Sequence, residues 1–313
     1  MINSARLGKI DEGEGFNLDC VSTGPDGYLP PDGPAGVDDQ FGALVSALQH
    51  AGLDLDFDAD MQRSIDDGRS LILFRLLDVD DWSEDGGSLF LAAYDGVDAD
   101  SEPTNNFSGR GQLLVDESSL TRPDDLMSAR GWFGNGVLHD TDEADRDIRT
   151  GDFSASGAVV DLRFPLGDTV VTLRISEARV VWDIERAPVG TPPLDGTIVG
   201  GVLGGCVSLR DAAMFLSEVP YGTDPGTIDE DTIRTILAGQ ADLDVIPEGF
   251  TDEPCTEGTA DHDCAPGQGC EQDPDRGDAY FCYEYEENPD AISVSFVFTA
   301  VSCDIVGIHH GTP

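Results

Sequence analysis

The sequence contains almost no lysine and no long apolar run. Lys9 is the only lysine in 313 residues, and 62 acidic residues against 17 basic ones give a net charge of −45. A surface this acidic repels the phosphates of nucleic acids and of anionic lipid headgroups. The composition therefore excludes nucleic acid as a partner. No apolar run approaches the length of a membrane helix, so no transmembrane segment is predicted.

Familiar catalytic signatures are also missing. The chain has no GxSxG, no HExxH and no catalytic-cysteine motif, and the glycines of residues 196–205 fit neither GxxxxGK[ST] nor GxGxxG. Any two of the many carboxylates could be imagined as the acid and nucleophile of a glycosidase, but a sequence does not give their separation. No catalytic residue can be named, and a binding protein is favoured over an enzyme.

The strongest structural signal lies in residues 157–186. Apolar and polar residues alternate in both halves, and residues 165–168 between them have the composition of a turn. The apolar phase reverses near Ser176 and Glu177, which predicts either a β-bulge or a break between two strands. Alternation of this kind is typical of antiparallel sheets with one buried face.

Shorter patterns complete the predicted fold. Strands are predicted at 70–77, 88–94, 196–206 and 291–302, and helices at 41–48, 59–67, 209–216 and 229–237. The strand at 196–206 is rich in glycine, which indicates close packing on a neighbouring strand. Together these elements predict a mainly β protein, an antiparallel β-sandwich of jelly-roll-like form with several short α-helices and a disulfide-rich insertion.

Five of the seven cysteines follow residue 250, where aliphatic residues become scarce. Their spacings of nine, six and twelve residues fit zinc poorly, so we expect two disulfides. The proposed insertion covers residues 251–290, within a sandwich domain made of residues 1–250 and 291–313. Its four cysteines are Cys255, Cys264, Cys270 and Cys282. Cys20, Cys206 and Cys303 are expected to form one pair and leave one odd thiol.

The cysteines predict an oxidising compartment and therefore export. The first residues, MINSARLGKIDEGEG, contain no apolar signal core. We therefore expect a mature exported chain with an added Met1, secreted or held at the cell surface.

Aspartates cluster where predicted strands end. Carboxylates crowded on one loop repel each other and need a counter-ion or a proton, and aspartate is a good loop ligand for calcium. The rival interpretation is a set of solvated turns on a surface adapted to high salt. The calcium interpretation predicts ligands among Asp19, Asp38, Asp39, Asp78, Asp80, Asp81, Asp95, Asp98 and Asp100.

Several short motifs resemble one group of known proteins. They are FNLD at 16–19, GVDDQ at 36–40, IDDGRSLILFRLLDVDD at 65–81, GTIVGG at 196–201 and DCAPGQGC at 263–270. This pattern resembles aspartate-rich secreted proteins and lipoproteins of gliding soil bacteria, for which no activity is established. The resemblance implies export and a surface location, and it transfers no catalytic residue.

The sequence as a whole predicts an extracellular or cell-surface binding protein that calcium stabilises. Its expected partner is a glycan or a protein outside the cell. A glycan-active hydrolase on the same scaffold and a structural envelope or matrix subunit are the alternatives.

Overall fold

The computed structural model describes residues 1–18, 30–50, 56–77, 89–108, 111–140, 150–166, 169–186, 196–218, 236–237, 240–243, 250–254, 268–272, 280–284 and 291–310. Strands predominate within these ranges. The first seven are β1 (Ile2–Leu7), β2 (Leu71–Leu77), β3 (Leu89–Asp98), β4 (Gly111–Asp116), β5 (Gly131–Asp140), β6 (Thr150–Leu166) and β7 (Thr169–Arg186). The others are β8 (Gly196–Ser208), β9 (Phe250–Pro254), β10 (Gln268–Gln272), β11 (Tyr280–Glu284), β12 (Ala291–Val301) and β13 (Cys303–His309). The helices are α1 (Gln40–His50), α2 (Phe57–Asp66) and α3 (Leu209–Glu218).

Ten of the strands form one large sheet. Its order is β1-β12-β8-β7-β6-β5-β3-β4-β13, and β2 pairs with the free side of β3. Pairing is antiparallel throughout this sheet except between β13 and β4. The predicted mainly β, antiparallel class is confirmed, with the strands joined through β3 into one hydrogen-bonded network.

The β6–β7 hairpin is the longest pairing in the sheet. Leu162, Phe164 and Leu173 point into the core and are nearly inaccessible to solvent. The register shifts between Ser176 and Arg179 where β7 meets β8, and Glu177 adopts a positive φ of 48°. The predicted phase reversal is therefore a β-bulge inside one continuous strand. The extra residue returns the apolar side chains to the buried face.

The first half of β2 is buried on both faces, in line with the buried strand that its apolar sequence predicts. Ile72 belongs to the main core, whereas Leu71 and Leu73 belong to a second core between β2, β3 and β4. Phe74 lies 5.6 Å from both Trp182 and Phe298, measured between ring centroids. Strand β2 therefore contributes side chains to both cores and connects them.

The helices cover the buried face of the sheet around a cluster of phenylalanines. Phe41 on α1, Phe57 on α2 and Phe215 on α3 lie within 6.5 Å of one another between ring centroids. Helix α2 begins after Asp56, whose Oδ1 accepts a hydrogen bond from the Ala59 N–H at 3.2 Å, and Gly68 follows its end with a φ of 69°. Three of the four predicted helices are thereby confirmed, and most of the predicted helix at 229–237 lies outside the described residues.

The outer edge of β1 is covered. The Asp58 carboxylate at the start of α2 accepts a hydrogen bond from the Leu7 N–H at 2.9 Å, and Gln62 donates to the Asn3 carbonyl at 3.2 Å. Helix α2 therefore occupies the backbone groups that an unprotected edge strand would offer to another chain.

The cysteine-rich segment is described only in part. Strands β10, β11 and β9 form a separate three-stranded sheet, in which Cys270 stands directly opposite Cys282. The two disulfides expected in this segment stay a prediction, and Cys255 and Cys264 lie outside the described residues. Cys206 and Cys303 are both free, so neither pairs with the other. Burial raises the pKa of the Cys206 thiol to about 12, which makes that thiol a structural group and not a reactive one.

The glycines of β8 allow close packing on both neighbouring strands. A Cβ added at Gly201 would lie 2.5 Å from the ring of Phe298, and one at Gly205 would lie 2.6 Å from the Ser176 carbonyl oxygen. The prediction of a glycine-rich strand in close contact with its neighbours is confirmed. No phosphate-binding loop is needed to explain these glycines.

A Gly205→Ala substitution is expected to destabilise the protein, because the new methyl group meets backbone that cannot move aside. The expected loss is about 1–3 kcal/mol of unfolding free energy, measured by chemical denaturation. Gly134→Ala is the matched control, since a Cβ there meets nothing within 4 Å. Equal effects of the two substitutions would contradict the packing explanation.

Candidate functional site

The large sheet opens into a groove between β3 and β6. Strand β5, which separates them, begins only at Gly131, opposite Ala93 of β3. Its pairing with β6 extends as far as Ser156, so within the described residues the later half of β6 pairs with β7 alone. The resulting groove has a volume of about 450 Å³. This is within the usual size range of small-ligand sites.

Three arginines line this groove, and we call it the arginine groove. They are Arg130, just before β5, Arg163 on β6 and Arg174 on β7. The whole chain has only 16 arginines and one lysine against 62 acidic residues. Three guanidinium groups around one cavity therefore make a local concentration of positive charge on a strongly negative molecule.

Arg174 is fully engaged by a neighbour in the sheet. Asp161 stands opposite Arg174 in the β6–β7 register, and their side chains form two hydrogen bonds of 2.8 and 3.1 Å. A bidentate pair of this kind fixes both side chains. Arg174 therefore contributes charge to the groove while its own position is held.

Arg163 is held much more loosely. Its Nη1 donates to the Ser118 Oγ at 3.3 Å and lies 3.9 Å from an Asp95 carboxylate oxygen, and the side chain is 43% exposed. Arg130 is anchored through its Nε, which donates to the Ser118 carbonyl at 2.9 Å. Of the three guanidinium groups, that of Arg163 has the longest contacts with the rest of the described chain.

Asp95 forms the inner wall of the arginine groove. Burial raises its pKa to about 6, and the nearby Arg163 opposes that shift only in part. Its backbone N–H donates to the Ser119 Oγ at 2.7 Å, which fixes the strand against the turn after β4. Asp95 therefore changes charge in a mildly acidic range, unlike an ordinary exposed aspartate.

Sequence reasoning missed the arginine groove because its cations come from three separate elements. Arg163 and Arg174 occur on the polar faces of two predicted strands, and nothing in their spacing shows that Arg130 joins them. The alternation did place Asp161 and Arg163 on the solvent side of β6, and that placement is confirmed. The missing information was the position where β5 begins, because the sheet is open before Gly131.

The predicted calcium ligands do not come together in the described part of the chain. Among the described residues no group of three or more acidic, histidine or cysteine side chains could hold a metal ion. Asp95 lies beside Arg163, and Asp98 and Asp100 belong to a turn closed by amide donors such as the Asp100 and Glu102 N–H groups. Asp38 and Asp39 are buried at the start of α1. Four of the predicted ligands, Asp19, Asp78, Asp80 and Asp81, lie outside the described residues.

Asp38 and Asp39 are part of a buried group of polar side chains that we call the carboxyl hub, completed by Asp242, Ser293 and Ser295. Asp39 Oδ1 accepts hydrogen bonds from the Ser295 N–H at 3.2 Å and the Gly42 N–H at 3.3 Å. Asp242 accepts from both the N–H and the hydroxyl of Ser293. Asp38 accepts from the Leu18 N–H at 2.6 Å. The hub therefore joins α1, β12 and the segments around residues 18 and 242.

Asp39 is the most deeply buried carboxylate of the hub, with no solvent exposure. Its Oδ2 has no hydrogen-bond partner among the described residues. Burial, reinforced by the neighbouring Asp242 charge, raises the pKa of Asp39 to about 7 although its hydrogen bonds act in the opposite direction. Protonation can therefore neutralise the Asp39 carboxylate, which is the role that the sequence interpretation assigned to calcium.

Two further features of the sequence are a glycosylation motif and the lack of long apolar runs. Asn106, the first residue of an N-glycosylation sequon at 106–108, is completely buried, so the folded protein cannot present it for glycosylation. In the described part of the chain no helix has the length and apolar character needed to cross a membrane.

Comparison with models of protein families, with curated proteins and with solved structures finds no match. Function is therefore inferred from the chemistry of the molecule itself.

The buried carboxyl of Asp39 makes a pH-dependent contribution to stability. A carboxyl whose pKa rises from 3.8 unfolded to about 7 folded binds its proton more tightly in the native state. Its contribution is therefore fully present below pH 4 and is lost as the pH rises through 7, by on the order of 2–4 kcal/mol. Asp39→Asn is expected to remove this slope, so the variant should gain stability relative to the parent protein between pH 4 and pH 8.

Denaturation curves at a series of pH values measure this effect. Asp66→Asn, at the exposed end of α2, removes the same charge from the surface and should follow the parent curve. Parallel curves for the parent protein and Asp39→Asn would contradict the assignment.

Proposed function

We propose that this protein is an extracellular or cell-surface binding protein whose ligand is anionic and occupies the arginine groove. The observation that supports this is the meeting of Arg130, Arg163 and Arg174 in one cavity of a chain that carries a net charge of −45. A cleft lined by one sign of charge concentrates ligands of the opposite sign. Arginine is also the side chain best suited to hold an oxyanion through paired hydrogen bonds.

The rest of the groove lining is suited to binding. Ser118, Ser119 and Thr121 supply hydroxyl groups on one side, and the exposed side chain of Val159 supplies apolar surface. A few polar groups set in apolar walls are typical of sites that recognise small ligands or the ends of larger ones. Export remains part of the proposal, and it depends on the cysteine content and the resemblance already described.

A glycan-active hydrolase is the second candidate, because Asp95 and Asp161 share the groove and burial raises the Asp95 pKa to about 6. Such a carboxyl could act as a general acid. Both oxygens of Asp161, however, already accept hydrogen bonds from Arg174. Binding is therefore favoured, and the appearance of new reducing ends in a bound oligosaccharide would favour the hydrolase instead.

Binding of anionic ligands is expected to exceed binding of neutral ligands of the same size, and to weaken as salt is added. Arg163→Gln should lower the affinity about tenfold or more, because it removes the guanidinium with the loosest internal contacts. Arg63→Gln is the matched control, since Arg63 is exposed on α2 and pairs with Asp60. Calorimetry with acidic and neutral oligosaccharides and peptides measures this, and equal affinities of the two variants would reject the groove as the site.

Calcium binding is proposed for the acidic sequence outside the described residues, centred on Asp78, Asp80 and Asp81. Chelator-treated protein is expected to bind calcium in calorimetric titration and to melt at a higher temperature with calcium present. The double substitution Asp80→Asn and Asp81→Asn should weaken this response, whereas Asp66→Asn with Asp67→Asn removes the same charge elsewhere and should not. A titration without heat and without a change in melting temperature would remove calcium from the proposal.

A further inference from the structure

We infer that the ligand of the arginine groove is a saccharide carrying a carboxylate, of the uronic-acid type, with its carboxylate on Arg163 in the place that Asp95 now approaches. The inference rests on the proposed function and gives the chemical class of its ligand. It also assigns Asp95 the role of an internal competitor for the same arginine.

Arg163 is the guanidinium with room for a ligand. Arg174 forms a bidentate pair with Asp161 through its Nε and Nη2, and Arg130 is anchored to the Ser118 carbonyl. The contacts of Arg163 are a 3.3 Å hydrogen bond to the Ser118 hydroxyl and a 3.9 Å approach to Asp95. A direct charge-assisted hydrogen bond would be about 2.7–2.9 Å long. A ligand carboxylate could therefore make bonds with Arg163 that Asp95 does not make.

Asp95 already places a carboxylate next to Arg163 in the groove. Its side chain lies in the same groove and is only 24% exposed, so it is partly dehydrated, while its nearest cationic atom, on Arg163, lies 3.9 Å away. Burying a charge in this way is unfavourable unless it is paired. A ligand that takes over Arg163 would meet repulsion from Asp95, and removal of that negative charge should strengthen binding.

The charge count favours a single negative charge on the ligand's binding group. Arg130, Arg163 and Arg174 face Asp95 and Asp161 in the groove, so the positive charges exceed the negative ones by one. One carboxylate balances this excess. A doubly charged phosphate would leave surplus negative charge next to two aspartates, in a chain whose net charge is already −45.

The backbone of β6 argues against an extended peptide as the ligand. Strand addition needs a row of unpaired N–H and C=O groups along an edge. The Arg163 carbonyl already accepts a hydrogen bond from the Ser70 hydroxyl at 3.2 Å. The edge is therefore occupied at Arg163, the residue on which a bound strand would have to pair. A compact saccharide with hydroxyl groups suits the serine and threonine side chains of this short groove better.

The experiment titrates the full-length protein with tri-galacturonate, a neutral trisaccharide of the same size, inorganic phosphate and a short glutamate peptide. Tri-galacturonate is expected to bind at least tenfold more tightly than each of the others. Arg163→Gln should abolish this preference and Arg163→Lys should restore it only in part, because an ammonium cannot form the paired bonds. Asp95→Asn should raise the affinity for tri-galacturonate several-fold, with Arg63→Gln as the unchanged control.

Circular dichroism and thermal melting confirm that each variant is folded before its affinity is interpreted. Tighter binding of phosphate or of the peptide, still dependent on Arg163, would overturn the saccharide assignment and leave the proposed function standing. Absence of any Arg163-dependent binding would overturn both. An Asp95→Asn variant that binds tri-galacturonate more weakly would show that Asp95 positions Arg163, and would overturn its role as a competitor.

Discussion

The pairing of β6 with β7 is the interaction on which the rest of the molecule depends. Their pairing runs from Thr150 opposite Glu185 to Leu166 opposite Thr169. One face of the pair supplies the centre of the apolar core, and the other face supplies Asp161, Arg163 and Arg174. The same register therefore determines both the stability of the sheet and the geometry of the arginine groove. A slip of one residue would exchange the two faces.

Much of the fold could be predicted from the sequence because its strands alternate clearly. The phase reversal near Glu177 indicated a bulge or a break between two strands, and the structure has the bulge. The apolar run of β2 indicated a buried strand, and its first three residues are buried. Helix α1 was predictable from its apolar spacing and the aspartates before it, and α2 from its position before Gly68. The joining of the ten strands into one sheet could not be predicted from the sequence, because it depends on β3 pairing on both of its edges.

The candidate site was much less predictable than the fold. The aspartates dominate the sequence because they are abundant. The arginine groove, however, is formed by a few arginines from elements that lie far apart along the chain. Asp39 illustrates the difference well. Its sequence context suggested a metal ligand in a loop, whereas its burial makes a bound proton sufficient to remove the charge. Burial and proximity are properties of the folded chain, and local patterns report them poorly.

The order of strands across the large sheet also affects how the protein reaches its native state. Strand β1, close to the start of the chain, pairs with β12, and β13 pairs with β4 across nearly two hundred residues of sequence. Contacts of such long range form slowly, because much of the chain must be ordered before they are made. During synthesis β1 and β4 have no partner in these pairings until β12 and β13 have been made. The sheet is therefore incomplete until that point, and the many negative charges of the chain help to keep the incomplete sheet from aggregating.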